Sequence, residues 1–117
     1  MHQKIQSQLI EIFKTDSGVV YQCNHKNIFV VEFLGHRSSF PIINLFDFTR
    51  RISSIDINEM LYGTSPKSDI AIIMPQYIDR CFILTLKDVV ALKELLCGAK
   101  VMIQLNSMVN ECLLQFA

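Results

Sequence analysis

Residues 28–48 read IFVVEFLGHRSSFPIINLFDF. The nearly continuous apolar run Ile28–Leu34 is rich in β-branched and aromatic residues, which predicts a strand that is covered on both faces or central in a sheet. Gly35–Ser39 predicts a five-residue loop, and Phe40–Ile43 predicts a second strand. Because Pro41 lacks an N–H, we expect this second strand to lie at the edge of a sheet.

A helix is predicted directly after these two strands. Asn44 suits the N-cap position, and Asp47 would then lie in the first turn, where the helix dipole favours a carboxylate. We expect the helix to run to about Ser53 and to be followed by a short helical turn over Asp56–Leu61. Residues 62–68 contain a glycine, a proline and two serines and predict a linker.

The next part of the chain resembles this segment at an offset of 41 residues. Residues 69–89 read DIAIIMPQYIDRCFILTLKDV and overlay on residues 28–48 without a gap. The overlay has three identical pairs, which are Ile42/Ile83, Leu45/Leu86 and Asp47/Asp88. It predicts two related strand–strand–helix units, within residues 19–55 and 69–98. Chance similarity between two strand–helix junctions explains the overlay about as well.

Within the second unit, Ile70–Met74 and Cys81–Leu84 predict strands. Thr85 and Asp88 are three residues apart and resemble a capping box with aspartate in place of glutamate. The helix that begins there carries an apolar stripe of leucine and valine. Gly98 follows this stripe at the place where a helix commonly ends.

The two ends of the chain predict further helices. Gln3–Lys14 has apolar residues at helical spacing, and Val19–Cys23 predicts the first strand. Val101–Phe116 predicts an amphipathic helix, with a strand over Val101–Leu105 as the alternative. We therefore expect one α+β domain over residues 1–117. It would have an antiparallel sheet of about five strands, helices packed mainly on one face, and additional N- and C-terminal helices.

The composition favours an interacting protein. Apolar residue types make up 50% of the 117 residues and charged types 19%, whereas charged residues are about 25% of an average soluble domain. Excess apolar surface of this kind is covered by oligomerisation or by another protein. Eleven basic residues balance eleven acidic ones, which disfavours nucleic acid because phosphate-binding domains usually carry a basic excess.

The lack of a membrane-spanning run and of a secretory signal, together with the cysteine spacing, predicts a cytoplasmic location. No apolar run approaches the ~20 residues that span a bilayer, and the N-terminus lacks the apolar core of a secretory signal. The four cysteines are widely spaced, and none forms a Cys-x-x-Cys pair. We therefore expect reduced thiols.

Cys23 and His25 are the candidate metal ligands. Side chains at alternate positions of an extended strand point to one face, so this pair has a geometry that allows zinc binding. A structural zinc site needs four ligands, usually in close pairs. His36 and Cys81 are possible further ligands, but Cys23 and His25 form the one close pair in the sequence. A buried Cys23 and a solvated His25 are the simpler alternative, so we expect no cofactor and keep zinc as an alternative.

The loops over residues 35–39 and 76–80 are the candidate ligand site. If they lie together, they gather an imidazole, two guanidiniums, a phenol and a carboxylate, a set suited to binding a small anion. The residues are His36, Arg37, Tyr77, Asp79 and Arg80. Two ordinary polar loops in water are the alternative.

No motif for nucleophilic catalysis or for a phosphate-binding loop is present in the sequence. We therefore interpret the chain as a non-enzymatic domain that binds protein and forms a homo-oligomer. The C-terminal amphipathic helix supplies the candidate interface, which consists of Leu105, Met108, Val109, Leu113 and Phe116. A ligand-sensing or enzymatic domain and a zinc-binding domain are the two rival hypotheses.

Overall fold

A computed structural model describes residues 8–23, 27–63, 70–75 and 81–115. The described part contains six strands and three helices, which confirms the predicted α+β class. In chain order these elements are β1 (Leu9–Thr15), β2 (Gly18–Cys23), β3 (Ile28–Phe33), β4 (His36–Pro41), α1 (Ile42–Ser53), α2 (Ile57–Tyr62), β5 (Ile70–Ile73), β6 (Phe82–Thr85) and α3 (Leu86–Gln115).

The first four strands form an antiparallel sheet in the order β1-β2-β3-β4. Strands β3 and β4 are joined by Leu34 and Gly35, whose φ angles are 54° and 77°. Two consecutive positive φ angles are typical of the tight hairpin turn that matches strand twist. The predicted loop over residues 35–39 is therefore wrong, because β4 begins at His36. Pro41 ends β4 at the sheet edge, as predicted.

Strand β1 occupies the second half of the predicted N-terminal helix, which is therefore wrong from Leu9 onwards, and residues 1–7 lie outside the described part. The pairing of β1 with β2 shifts between Glu11 and Phe13, so Ile12 is the extra residue of a β-bulge. Ile12 and Phe13 both pack against the core. A bulge interrupts the two-residue alternation of a strand. Leu9, Ile12 and Phe13 therefore lie at positions i, i+3 and i+4, which is the spacing of one face of a helix.

Helices α1 and α3 pack on one face of this sheet. Alternate residues of β3, which are Phe29, Val31 and Phe33, share one buried cluster with leucines of both helices. The ring of Phe48 from α1 stacks on Phe40 of β4 at 5.0 Å and contacts Phe82 of β6 at 5.1 Å. These three rings join the sheet, α1 and β6 in one core.

Strands β5 and β6 form a separate antiparallel pair, so the predicted single five-stranded sheet is wrong. The pseudo-repeat is not matched either. Helices α1 and α3 begin at Ile42 and Leu86, which are not separated by the offset of the sequence overlay.

The predicted capping box at the start of α3 is confirmed. The Thr85 N–H donates to Asp88 Oδ2 at 3.1 Å, and the Asp88 N–H donates to Thr85 Oγ1 at 3.2 Å.

Helix α3 is continuous for 30 residues, so the predicted end at Gly98 and the alternative strand over residues 101–105 are both wrong. Gly98 allows the close approach of Phe13 from β1. A Cβ atom at position 98 would lie 2.2 Å from Cε2 of that ring. The glycine therefore marks a contact between helix and sheet and not a helix end.

The predicted end of α1 is confirmed, the predicted helical turn after it is confirmed to within one residue, and the predicted start of α1 is wrong. Helix α1 ends at Ser53 as predicted, and α2 is capped by Asp56, whose Oδ1 accepts from the Glu59 N–H at 3.0 Å. Helix α1 begins at Ile42 after Pro41, two residues before the predicted cap Asn44. Pro41 is the N-cap residue, its backbone is extended, and α1 begins without a side-chain cap hydrogen bond.

Candidate functional site

The zinc prediction is not tested by the structure. Cys23 ends β2 and is 7% exposed, and His25 lies outside the described residues. Within residues 8–23, 27–63, 70–75 and 81–115, no three side chains of His, Cys, Asp or Glu come close enough together to hold a metal ion. The zinc site stays a prediction.

The anion-binding prediction is described for only two of its five residues, because Tyr77, Asp79 and Arg80 lie outside the described part. His36 is exposed and lines a cavity of about 310 Å³. Cys81, which follows the second predicted loop, lines the same cavity. The anion site as a whole stays a prediction.

Arg37 is engaged on the outer face of the sheet. Its Nε donates to Glu32 Oε2 at 2.8 Å, and its guanidinium lies over the Tyr21 ring at 5.6 Å from the centroid. The hydrogen bond to Glu32 raises the pKa of Arg37 further above its ordinary value. An anion at this place would have to compete with Glu32 for the guanidinium.

A groove of about 690 Å³ runs between α1 and α3. Arg50 lies on its α1 side, and Lys100 of α3 lies over the Phe46 ring at 5.4 Å. Asp47 accepts hydrogen bonds from Arg50 and from Arg51, which holds the pKa of Asp47 below its usual range. The groove therefore has cationic groups on both walls and one carboxylate that is already paired.

The polarity of α3 reverses along its length. Leu96, Ala99 and Ile103 are buried against the sheet. The exposed residues Leu105, Met108 and Cys112 each follow one of these by nine positions. Nine residues are two and a half turns at about 3.6 residues per turn. The buried set and the exposed set therefore project from opposite sides of the helix. Between Gln104 and Cys112, α3 thus carries its apolar residues on the side away from the body of its own chain.

The body-facing side of the same segment is polar. Asn106, Ser107 and Asn110 line a cavity of about 220 Å³, and Gln22 and Asn27 lie across it. Side chains 104–113 of α3 are all exposed. The core of this chain therefore leaves the second half of α3 uncovered, on its apolar side as well as its polar side.

We define the outward face of α3 as Val101, Leu105, Met108, Val109 and Cys112. Leu105, Met108 and Val109 belong to the interface predicted from the sequence, and Leu113 of the same prediction lies beside this face. These four predicted residues are 45% to 65% exposed. Phe116, the fifth residue of that prediction, lies outside the described part. Exposure places these side chains on an accessible surface, and their role as an interface stays a prediction.

A second apolar surface lies on the β5–β6 pair, and the sequence did not reveal it. Ile70 and Ile72 point to the same side of β5, and Ile83 of β6 pairs with Ile72. The three isoleucines are 43%, 61% and 63% exposed. A continuous apolar run such as residues 70–74 is typical of a strand that is buried on both faces. The sequence pattern therefore did not indicate that one side of β5 is exposed.

Comparison with known proteins gives no relative. The chain matches no protein-family model, and no curated protein or solved structure is significantly similar to it. Among the helices of the described residues, none combines the length and the hydropathy that a membrane span requires.

Proposed function

We propose that this chain is a non-enzymatic protein-interaction domain that forms a homodimer through the outward face of α3. The reversal of polarity along α3 carries the proposal. A helix that served only its own core would keep one apolar stripe along its length. Here the apolar stripe of the second half points away from the core, so it suits contact with another molecule.

The energetic argument comes from the exposed area. Burial of apolar surface contributes about 25 cal/mol per Å², which is on the order of 1 kcal/mol for each half-exposed leucine, valine or methionine. Leu105, Met108, Val109 and Leu113 are all at least 45% exposed. Contact with a partner would recover several such contributions at once.

A second copy of the chain fits this face better than a charged partner does. Glu111 is the only charged residue between positions 101 and 113. Two such faces can therefore approach each other without repulsion between like charges at their centre. A twofold symmetric dimer uses the same patch on both subunits, which is the commonest arrangement in soluble oligomers.

The test is the mass of the protein in solution at several concentrations. We expect the wild-type chain to be a dimer by light scattering after size exclusion. The double change Leu105→Glu and Val109→Glu places two carboxylates in the apolar contact. It should raise the dimer dissociation constant at least about a hundredfold, which corresponds to roughly 2.7 kcal/mol.

The matched control is Asn106→Glu with Asn110→Glu. It adds the same charge at the same four-residue spacing of the same helix, but on the polar side. This control should remain a dimer. A wild-type chain that is monomeric at about 100 μM, or two double variants that dissociate equally, would contradict the proposal.

A further inference from the structure

The outward face has the spacing of a two-stranded helical seam. Val101, Leu105, Met108 and Cys112 are separated by four, three and four residues, which is the spacing of core positions in coiled coils. We infer that two copies pack α3 against α3 in antiparallel orientation. In this arrangement, Glu111 of each copy lies at the α1–α3 groove of the other, beside Gln104 and one helical turn from Lys100. The inference rests on the proposed dimer and specifies its geometry.

The seam is self-complementary when the helices run in opposite directions. Leu105 then packs against Met108 of the second copy, and Val101 packs against Cys112 of the second copy. Twofold symmetry repeats both contacts, so the four seam residues form four apolar layers. A parallel pair also forms four layers, but each residue then meets its own equivalent. The seam alone therefore allows both orientations.

The flanks of the seam favour the antiparallel orientation. One flank is polar and carries Gln104 and Glu111, and the other is apolar and carries Met102 and Val109. In an antiparallel pair the same flank of both helices meets, so Gln104 lies next to Glu111 and Met102 lies next to Val109. In a parallel pair opposite flanks meet, which would place Gln104 next to Val109.

Charge along the rest of α3 favours the same orientation. Glu94 and Lys87 lie seven and fourteen residues before Val101, so they continue the line of the seam on the exposed side. In a parallel pair Glu94 would face Glu94 of the second copy, and Lys87 would face Lys87. In an antiparallel pair neither Glu94 nor Lys87 faces its own equivalent, which avoids both repulsive contacts.

The groove supplies the complementary charge for Glu111. Gln104 lines the groove between α1 and α3 together with Lys100 and Arg50. In the antiparallel pair, Glu111 of the second copy lies beside Gln104 and one helical turn from Lys100. Within residues 101–113, the only carboxylate of each copy is thus placed at the cationic wall of the other, where opposite charge favours association.

Disulfide trapping distinguishes the two orientations. The background is Cys81→Ser, because Cys81 and Cys112 are the exposed cysteines. Diamide serves as oxidant and takes up the two electrons and two protons that a thiol pair loses. In an antiparallel dimer, native Cys112 faces Val101, so the background protein should give little covalent dimer. Val101→Cys should then form a disulfide between positions 101 and 112 and give mostly covalent dimer.

The matched control is Val101→Cys with Cys112→Ser. It keeps one seam thiol, which meets serine in the antiparallel dimer, so it should not crosslink. Efficient crosslinking through Cys112 alone, or through the thiol introduced at position 101 in this control, would overturn the antiparallel orientation while the dimer itself stands. Light scattering on the reduced proteins tests the dimer separately, and monomers there would remove the proposed function together with this inference.

Charge reversal tests the position of Glu111. We expect Glu111→Lys and Lys100→Glu each to raise the dimer dissociation constant roughly tenfold, and the combination to restore it to near the wild-type value. Thermal unfolding of each variant checks that the fold is kept, since Lys100 also lies over Phe46. If the dissociation constant of the double variant were higher than that of either single variant, Glu111 would not lie at the groove.

Discussion

At the scale of single residues, the contact between Gly98 and Phe13 involves two positions at which the predicted structure differs from the observed one. The sequence predicted a helix end at Gly98 and a helix through Phe13. Both residues serve one packing contact between α3 and β1. Contacts between residues this far apart in the chain leave no trace in local periodicity, so sequence patterns did not reveal this one.

This contact predicts that a side chain at position 98 destabilises the fold. In Gly98→Val the new side chain would overlap the Phe13 ring, and we expect a loss of roughly 1–3 kcal/mol in the free energy of unfolding. Urea unfolding measures it. Glu94→Val on the exposed side controls for the helix propensity of valine. Phe13→Ala should remove most of the additional cost of Gly98→Val, and equal losses with and without Phe13 would contradict the packing explanation.

Asp47 predicts a pH dependence of stability. The hydrogen bond from Arg50 is the main cause that lowers its pKa below the ordinary value of 3.8. A carboxyl whose pKa is lower in the folded state adds stability above the unfolded pKa and loses it as the pH falls through the folded pKa.

We therefore expect Asp47→Asn to reduce the loss of stability as the pH falls below about 4 and through the lowered folded-state pKa of Asp47. Carboxyl NMR titration of the wild-type protein should give a pKa for Asp47 below 3.8. Arg50→Gln with Arg51→Gln should return this pKa towards its ordinary value. An Asp47 pKa that does not respond to the loss of both arginines would show that the ion pairs are not its cause.

At the scale of elements, predictions from local sequence were correct where one residue type determines the start or the end of a helix. The capping box of Thr85 and Asp88 and the helix end at Ser53 were both predicted from the sequence, and the predicted helical turn over Asp56–Leu61 lies within one residue of α2. Strand β1 was missed because its bulge at Ile12 breaks the alternation on which strand prediction rests. Leu105, Met108 and Val109, which are exposed, could be grouped from the sequence because they share one helical face, whereas the exposed side of β5 could not be recognised within an apolar run.

The capping box at the start of α3 predicts a measurable contribution to stability. Thr85→Ala removes the oxygen that accepts from the Asp88 N–H and should lower the free energy of unfolding by about 1 kcal/mol. Thr85→Ser keeps a hydroxyl and should retain most of it. Because Thr85 also pairs with Ile70 in the hairpin, the serine variant is the required comparison. Equal losses in both variants would assign the effect to the strand and not to the cap.

At the scale of the whole molecule, the apolar excess of the sequence is divided between a core and exposed surfaces. Seventeen buried side chains form the central cluster. Two exposed apolar surfaces remain, on the second half of α3 and on the β5–β6 pair. Composition predicted that such surfaces exist, and helical periodicity located one of them. The reversal of polarity along α3 favours the first of these surfaces as the interface.

A homodimer through α3 predicts that stability depends on protein concentration. Unfolding of a dimer releases two chains, so each tenfold rise in concentration adds about 1.4 kcal/mol per dimer and should raise the melting temperature by about 3 °C. A chain that ends after Gln104 keeps Ile103 and the rest of the buried cluster but loses most of the outward face.

The shortened chain should unfold cooperatively at one temperature whatever its concentration, while Asn106→Glu with Asn110→Glu should keep the wild-type dependence. Differential scanning calorimetry over a hundredfold range of concentration separates these behaviours. If the shortened chain retains the dependence, association occurs on another surface, and the exposed isoleucines of β5 and β6 become the site to test with Ile72→Glu. Because residues 104–113 contribute no buried side chain to the core, any fall in cooperativity on their removal would also contradict the assignment of this segment to association alone.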